Sequence, residues 1–187
     1  MGQVIWESAN GIDYSPVNPF SLEGEKGIGH GMTLPRDYST IVDIKVIIHE
    51  LCDEVCRRAR KANVVGKTVS VGARGAGFDF PTGFHRQETI FDSTNNTKDM
   101  YKAAFKLFKQ NWDSTPIRQL SVGLSNLSSD NNVQLNLFED VSRKRNLDYA
   151  VDDIRDRFGG TAIVYASSLT SAGQAFHRAE TIGGHYK

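Results

Sequence analysis

Lysine and arginine are concentrated in the middle of the chain, where they could bind phosphate. Residues 57–118 contain twelve Lys or Arg against five Asp or Glu, although the whole chain carries no net charge. A positive field on one compact unit is typical of proteins that bind polyanions such as nucleic acid. However, Arg57, Arg58, Arg60 and Lys61 also suit the end of a helix, whose dipole favours cations there. The charge count therefore leaves a nucleic-acid surface and a solvated helix face both open.

Other residues that could serve catalysis or metal binding have structural explanations. Cys52 and Cys56 have the spacing of half a metal site, but no His or Cys pair elsewhere completes it, so two reduced thiols near a core are expected. The five His residues show no pairing with a nucleophile that would suggest catalysis. The run from Gly72 to Gly77 lacks the Lys-Ser/Thr ending and the following helix of a phosphate-binding loop. It is interpreted as a flexible hairpin loop.

A small acidic cluster near the C-terminus has helical spacing. Asp152, Asp153 and Asp156 lie opposite apolar residues that recur at the period of a helix, which are Leu147, Val151, Ile154 and Phe158. An amphipathic helix normally turns its apolar stripe toward the protein. The acidic residues are therefore predicted to form an exposed helix face.

Length and composition indicate one ordinary core with extensions. The chain has 187 residues, of which 39% are hydrophobic and 24% charged. No window approaches the roughly 18 consecutive apolar residues of a membrane-spanning helix, and the N-terminus lacks the order of a signal peptide. A cytoplasmic protein without membrane contact is expected.

The hydrophobic periodicity predicts the order β-α-β-β-α-β for the middle of the chain. Strands are predicted over residues 27–34, 64–73, 85–91 and 117–124, and helices over about 40–61 and 97–112. A possible further strand lies at 162–166. In such a sheet both helices cover one face and leave the other open. The outward or edge positions are then drawn from Lys67 or Thr68, Ser70, Gln119, Ser121 and Gly123. Lys67, Arg74 and Arg86 are the cations expected near this face, although solubility charges would give the same pattern.

Residues 134–138, Gln-Leu-Asn-Leu-Phe, fit the Gln-Leu-x-Leu-Phe peptide by which bacterial DNA polymerases dock on the sliding clamp. Polar residues precede this peptide, and Glu139 and Asp140 follow it. Two leucines and a phenylalanine in a polar linker indicate a partner site. A short edge strand is the alternative, because periodicity does not separate the two.

Two further segments carry a resemblance to a family. Residues 26–38, Lys-Gly-Ile-Gly-His-Gly-Met-Thr-Leu-Pro-Arg-Asp-Tyr, resemble the opening strand of the little finger domain of Y-family translesion DNA polymerases. Residues 85–91, His-Arg-Gln-Glu-Thr-Ile-Phe, resemble the third strand of that domain, where a basic residue meets DNA phosphate. Residues 6–17 are similar to the last helix and exit of the thumb. Residues 154–159 and 182–185 resemble the tail of the UmuC/ImpB-like SOS mutagenesis group of Gram-positive bacteria, their plasmids and phages. The resemblance covers nearly the whole chain.

The resemblance implies an α+β fold with a four-stranded antiparallel-type sheet, two helices on one face and a C-terminal helical or irregular extension. It implies the end of a thumb-like region and a linker over 1–21, a little finger DNA-binding domain over 22–126, a linker with the clamp peptide over 127–141, and a tail with one helix over 142–187. Whether the tail folds on this domain, on a palm domain or on a partner such as a recombinase filament stays open.

The implied function is that of the DNA-binding and clamp-binding part of an error-prone translesion polymerase in DNA repair and the SOS response. It would grip primer-template duplex without sequence preference. The expected DNA-binding residues are Lys67, Arg74, His85, Arg86 and Thr89. The expected clamp-binding residues are Gln134, Leu135, Leu137 and Phe138. No Asp-x-Asp or Ser-x-Asp-Glu set precedes the thumb-like helix, so this chain is not expected to polymerise or to hold a cofactor. Mg²⁺ would belong to the palm of the parent polymerase.

Two other classes of protein remain as alternatives. A stand-alone RNA- or protein-binding α+β module would share the open sheet, but RNA-binding sheets typically stack bases on aromatic side chains, and Phe91 is the clear aromatic residue of the central strands. A small-molecule enzyme would require a convergent polar site, which the sequence does not indicate.

Overall fold

The computed structural model describes residues 2–14, 16, 26–77, 82–130, 141–182 and 185–186, with side chains for all of these except 141–144, 181–182 and 185–186. Helix α1 spans Gly2–Ala9. The central unit consists of β1 (Gly27–Tyr38), α2 (Ile41–Lys61), β2 (Val64–Arg74), β3 (Gly83–Thr94), α3 (Thr97–Asn111) and β4 (Ile117–Ser129). It is followed by α4 (Val141–Phe158), a 3-10 turn (Ala166–Leu169), α5 (Ala175–Ala179) and the short strands β5 (Thr181–Ile182) and β6 (His185–Tyr186).

The four long strands form one antiparallel sheet in the order β1-β4-β2-β3. This arrangement confirms the predicted β-α-β-β-α-β order and the α+β fold. Strand β1 continues through Pro35 because it lies at an edge of the sheet, where a missing N–H is tolerated, and its pairing with β4 shifts between Thr33 and Tyr38. Gly72, Ala73 and Arg74 belong to β2, so the predicted hairpin loop is shorter than expected.

The core lies between one face of the sheet and helices α2 and α3. Thr40 caps α2 by accepting a hydrogen bond from the Asp43 amide at 3.2 Å, and Asn96 caps α3 in the same way through the Asp99 amide at 3.1 Å. The apolar stripe of α2 packs on alternating residues of the strands. These are Val69 and Val71 of β2 and Leu120, Val122 and Leu124 of β4, all buried. The apolar periodicity thus fixes which face of the sheet is covered.

Both cysteines are part of this core. Cys52 and Cys56 are fully buried on α2, and the Cys56 thiol lies 3.4 Å from the sulfur of Met100. Burial raises the pKa of both thiols, so they are unreactive. The prediction of two reduced structural thiols agrees with this environment.

Residues 141–180, called here the C-terminal strap, fold on the outer side of helix α2. Arg60 of α2 binds both carboxylate oxygens of Asp152 in α4, at 2.6 and 2.9 Å. Leu147 and Phe158 are instead 65% and 74% exposed. The predicted orientation of α4 was therefore wrong at Asp152, because the buried Arg60 of α2 binds this acidic residue. The described part of the tail thus contacts helix α2 of the little-finger-like unit.

The strap contains less regular structure than its sequence suggested. Helix α4 ends at Phe158, after which Gly159 adopts a left-handed φ of 100° and its backbone amide donates a hydrogen bond to the Arg155 carbonyl. The predicted strand at 162–166 is wrong: this stretch is irregular and leads into the 3-10 turn.

Candidate nucleic-acid interface

The sheet face away from the helices, called here the open face, consists of small and polar residues. The strand register aligns these residues in four rows across β1, β4, β2 and β3. The rows are Gly27–Ser125–Thr68–Thr89, Gly29–Gly123–Ser70–Gln87, Gly31–Ser121–Gly72–His85 and Thr33–Gln119–Arg74–Gly83. Cross-strand partners share a face of the sheet, so these rows lie opposite the buried core.

At the centre of the open face, serine hydroxyls pack against two glycines. A Cβ atom added to Gly123 would lie 2.6 Å from the Ser70 hydroxyl, and one added to Gly72 would lie 2.6 Å from the Ser121 hydroxyl. These glycines therefore leave room that neighbouring serines fill. A ligand or the backbone of another polymer could approach this part of the sheet without meeting bulky side chains.

Hydroxyl and amide groups complete the open face. Thr68 and Thr89 approach each other through their hydroxyls at 3.2 Å, and the Gln119 amide donates to the Thr33 hydroxyl at 3.2 Å. Ser121 donates a longer hydrogen bond to the Gly72 carbonyl at 3.4 Å. These groups can exchange such partners for phosphate oxygens.

Three of the five predicted DNA-binding residues lie together on this face. Arg74, His85 and Thr89 belong to three of its rows, and all three are exposed. Among the described residues, no carboxylate lies within 4.0 Å of the Arg74 guanidinium. Arg74 is therefore the cation of the open face that can pair with a phosphate.

The register separates Arg86 and Lys67 from that group. Arg86 pairs with the buried Val71 and therefore lies on the helix side of edge strand β3, where its guanidinium donates to the His85 carbonyl at 2.9 Å. The neighbouring Glu88 confirms this side, because it forms an ion pair with Lys106 of α3 at 2.8 Å. Lys67 lies where the β2–β3 pairing is irregular, and it is half-buried.

Part of the positive charge of residues 57–118 is paired with carboxylates of neighbouring elements. Arg57 and Arg60 bind Asp156 and Asp152 of the strap, and Arg118 binds Asp37 at 2.6 Å. Helix-end and structural roles therefore explain part of the charge count. The phosphate-binding interpretation depends on the open face and not on the net charge.

The glycines of β1 and Gln87 of the open face were missed as site residues. Gly29 and Gly31 alternate with apolar residues in β1, and this alternation signals a face without side chains once the strand is placed in the sheet. Gln87 is exposed at the edge of the same face, between His85 and Thr89. Its position could be found only from the β2–β3 register.

The described residues bring together no metal-binding cluster. Within them, no group of three or more His, Cys, Asp or Glu side chains could hold a metal ion. His49 packs edge-on against Tyr101 and Tyr165, and burial lowers its pKa. Of the described helices, none has both the length and the apolar character that a bilayer-spanning segment requires.

The predicted clamp peptide, residues 134–138 with Gln134, Leu135, Leu137 and Phe138, lies outside the described residues. The residues on either side of segment 131–140 are held together. Asp130, which follows β4, accepts hydrogen bonds from Arg145 at 2.6 Å and from the Tyr149 hydroxyl at 3.0 Å, both in α4.

Comparison with known proteins identifies the class to which this chain belongs. Residues 25–137 match the model of the impB/mucB/samB family C-terminal domain. The chain belongs to this family, and the predicted resemblance to Y-family translesion polymerases is confirmed.

Individual relatives carry polymerase names. The chain is 59% identical over its full length to DNA polymerase IV 2 of Bacillus subtilis (strain 168) and covers 45% of that protein. It is 52% identical over 186 residues to DNA polymerase IV 2 of Halalkalibacterium halodurans, covering 100% of this chain and 46% of the relative. It is 42% identical over 174 residues to DNA polymerase IV of Pelotomaculum thermopropionicum, covering 92% of this chain and 42% of the relative. The chain thus spans less than half the length of these curated relatives.

Proposed function

We propose that residues 22–126 bind primer-template duplex through phosphate contacts that do not depend on sequence. The chain would act as part of an error-prone translesion DNA polymerase in DNA repair and the SOS response. The observation that carries this proposal is the open face, where glycine, serine and threonine rows expose backbone and hydroxyl groups beside Arg74. A smooth polar sheet of this kind suits a phosphate backbone, whose oxygens accept hydrogen bonds from amides, hydroxyls and arginine.

The chemistry of the open face favours contacts to phosphate over contacts to bases. Direct readout of bases requires long side chains, such as arginine or asparagine, that project into a groove. On the central strands β4 and β2, the two middle rows instead carry Ser70, Ser121, Gly72 and Gly123, whose reach is short. Binding would therefore tolerate any sequence, as copying of damaged templates requires.

Duplex DNA is also favoured over single-stranded RNA. RNA-binding sheets stack bases on two or three aromatic residues in their central strands. The exposed aromatic residue of the described sheet is Phe91, which is 92% exposed. It lies in the edge strand β3 and not in a central strand. The central strands β2 and β4 present small polar residues on the open face.

We further propose that residues 134–138 bind the sliding clamp. Gln134 would place its amide in a polar recess, while Leu135, Leu137 and Phe138 would be buried in an apolar pocket. Burying two or three such side chains contributes roughly 1.5 to 3 kcal/mol each before ordering costs, which corresponds to micromolar affinity for the peptide alone. DNA and clamp contacts acting together would raise the local concentration of the polymerase at a primer end.

We further propose that the polymerase activity resides in a palm domain outside these 187 residues. That domain would supply the carboxylates that hold Mg²⁺, and the whole protein would work in the cytoplasm. With nucleoside triphosphates and primed template, this chain should therefore incorporate no nucleotide.

A salt titration of DNA binding tests the phosphate proposal. Fluorescence anisotropy of labelled primer-template should give weak binding, with a log-log salt slope of about a few units and no sequence preference. Arg74→Ala should lower affinity and reduce the slope by about one. The matched control is Lys109→Ala, which removes an exposed cation from α3 on the other side of the molecule. A slope near zero, or an equal effect of the two variants, would contradict the proposal.

A further inference from the structure

The C-terminal strap contributes almost nothing to the apolar core. Among the buried apolar side chains of the described residues, Ala172 alone belongs to the strap. All the others lie between Ile28 and Leu124, in the sheet and its two helices. The sheet domain therefore has a complete core without the strap. Burial of apolar surface, which is the main driving force of folding, does little to hold the strap in place.

Charged pairs hold helix α4 of the strap instead. In addition to the pair of Arg60 with Asp152, Arg155 of α4 binds Asp53 of α2 at 2.7 Å and also donates to the Ile163 carbonyl at 3.0 Å. Near the beginning of α4, Arg145 binds Asp130 at 2.6 Å. These contacts link the strap to α2 and to the residue that follows β4.

The pairs are well shielded from water, which limits their net contribution. The Arg60 and Arg155 side chains are 3% and 7% exposed, and Asp53 and Asp152 are 15% and 13% exposed. Burial disfavours charged Arg60, but the hydrogen bond and the charge of Asp152 outweigh it and raise its pKa. Removing charges from water costs about as much as such pairs regain. The ion pairs therefore define the position of the strap more than they stabilise it.

The second half of the strap is also held by polar contacts. The backbone N–H of Gln174 donates to both carboxylate oxygens of the buried Glu50, at 3.0 and 3.2 Å. The Tyr38 hydroxyl donates to the Ala172 carbonyl at 2.8 Å. A cleft of about 720 Å³ lies between these contacts and those of α4, lined by charged residues of both the domain and the strap, including His30, Asp53, Arg57 and Arg178. The contact between strap and domain is thus loosely packed.

We propose that the C-terminal strap is a detachable arm that opens from the sheet domain as one unit while the domain stays folded. Local opening of this kind is expected where few apolar contacts and many polar ones join an element to its neighbours. In the open state the polar surface of α2 around Glu50, Asp53 and Arg60 becomes accessible. The opening would also separate Asp130 from Arg145 and Tyr149, the contacts that join the two ends of segment 131–140. This proposal does not depend on DNA or clamp binding.

Hydrogen-deuterium exchange of the full chain, measured by mass spectrometry, tests the proposal. In the unmodified protein, amides of α4 and α5 should exchange at least about tenfold faster than those of α2 between Ile44 and Cys56. Arg155→Met should accelerate exchange in both α4 and α5 by about tenfold or more, since its loss leaves Asp53 unpaired. Exchange in α2 and β4 should not change. The matched control is Arg157→Met, which removes the same charge from an exposed position of the same helix and should have no effect.

A second variant tests whether the strap opens as a unit. Arg145→Met removes the contact with Asp130 at the opposite end of α4, yet it should accelerate exchange in α5 as well. Equal exchange rates for strap and α2 in the unmodified protein would overturn the proposal, because the strap would then unfold only with the core. Loss of α2 protection in Arg155→Met would overturn it too. If amide exchange accelerates only in the helical turn that carries the substitution, α4 frays locally and the strap does not open as one unit. That outcome would also contradict the proposal.

Discussion

The two faces of the four-stranded sheet are built from opposite kinds of residue. The helix side carries Val69, Val71 and Val122 in a closed apolar core, and the open face carries Ser70, Gly72 and Gly123 in the alternate positions. The alternation of two along each strand produces both faces from the same segments. The helix side stabilises the fold, and helices α2 and α3 leave the open face uncovered.

The two faces of the sheet also differ in how their cations are paired. Two cations on the helix side, Arg60 and Lys106, are bound to carboxylates of neighbouring elements, whereas Arg86 donates to the His85 carbonyl. Arg74 on the open face has no such described partner. Net charge in a segment of sequence therefore indicates little about binding until the partners of each cation are known.

The largest expected effect is on binding of the sliding clamp, for which we propose that the apolar residues of 134–138 are used. In a peptide spanning residues 132–139, Leu137→Ala combined with Phe138→Ala should remove about 3 to 6 kcal/mol of binding to the sliding clamp, which abolishes measurable binding. Gln134→Ala should cost about 1 to 3 kcal/mol, because a polar recess would be left unmatched. Asn136→Ala serves as the control with little effect.

Isothermal titration calorimetry with the clamp of the source bacterium would measure these changes. Competition with clamp-binding peptides from its other polymerases should accompany binding. Absence of competition, or full affinity after both substitutions, would remove the clamp from the proposed function.

The next largest effect should come from the helix side of the sheet. Phe108 of α3 is fully buried, with ring centroids of Phe84 and Trp112 at 5.7 and 5.5 Å. Phe108→Ala should lower the free energy of unfolding by about 3 to 5 kcal/mol, because it leaves a cavity. Gln87→Ala on the open face should change it by no more than about 0.5 kcal/mol. Urea denaturation of both variants measures the contrast, and comparable losses would show that the open face is also part of the stabilising core.

The sequence predicted the elements and the two faces because periodicity of two and of 3.6 residues was clear in the strands and helices. It did not predict the face of Arg86, since the side of an edge-strand residue depends on its register with β2, which is irregular near Lys67. It also misjudged Asp152. The usual rule turns the apolar stripe of a helix inward, but here Arg60 lies 92 residues away in the chain and attracts the acidic side.

The central claim, that the open face binds DNA phosphates, is tested most directly by placing a negative charge on each side of the molecule. Gln87→Glu adds a carboxylate to the exposed edge of the open face, and Gln110→Glu adds the same charge to an exposed position of α3. Both changes preserve side-chain size. Gln87→Glu should weaken binding of primer-template duplex by about three- to tenfold at low salt, through repulsion of phosphate. Gln110→Glu should leave affinity nearly unchanged. Equal effects of the two variants, or a larger effect of Gln110→Glu, would contradict the assignment of the open face as the DNA-binding surface.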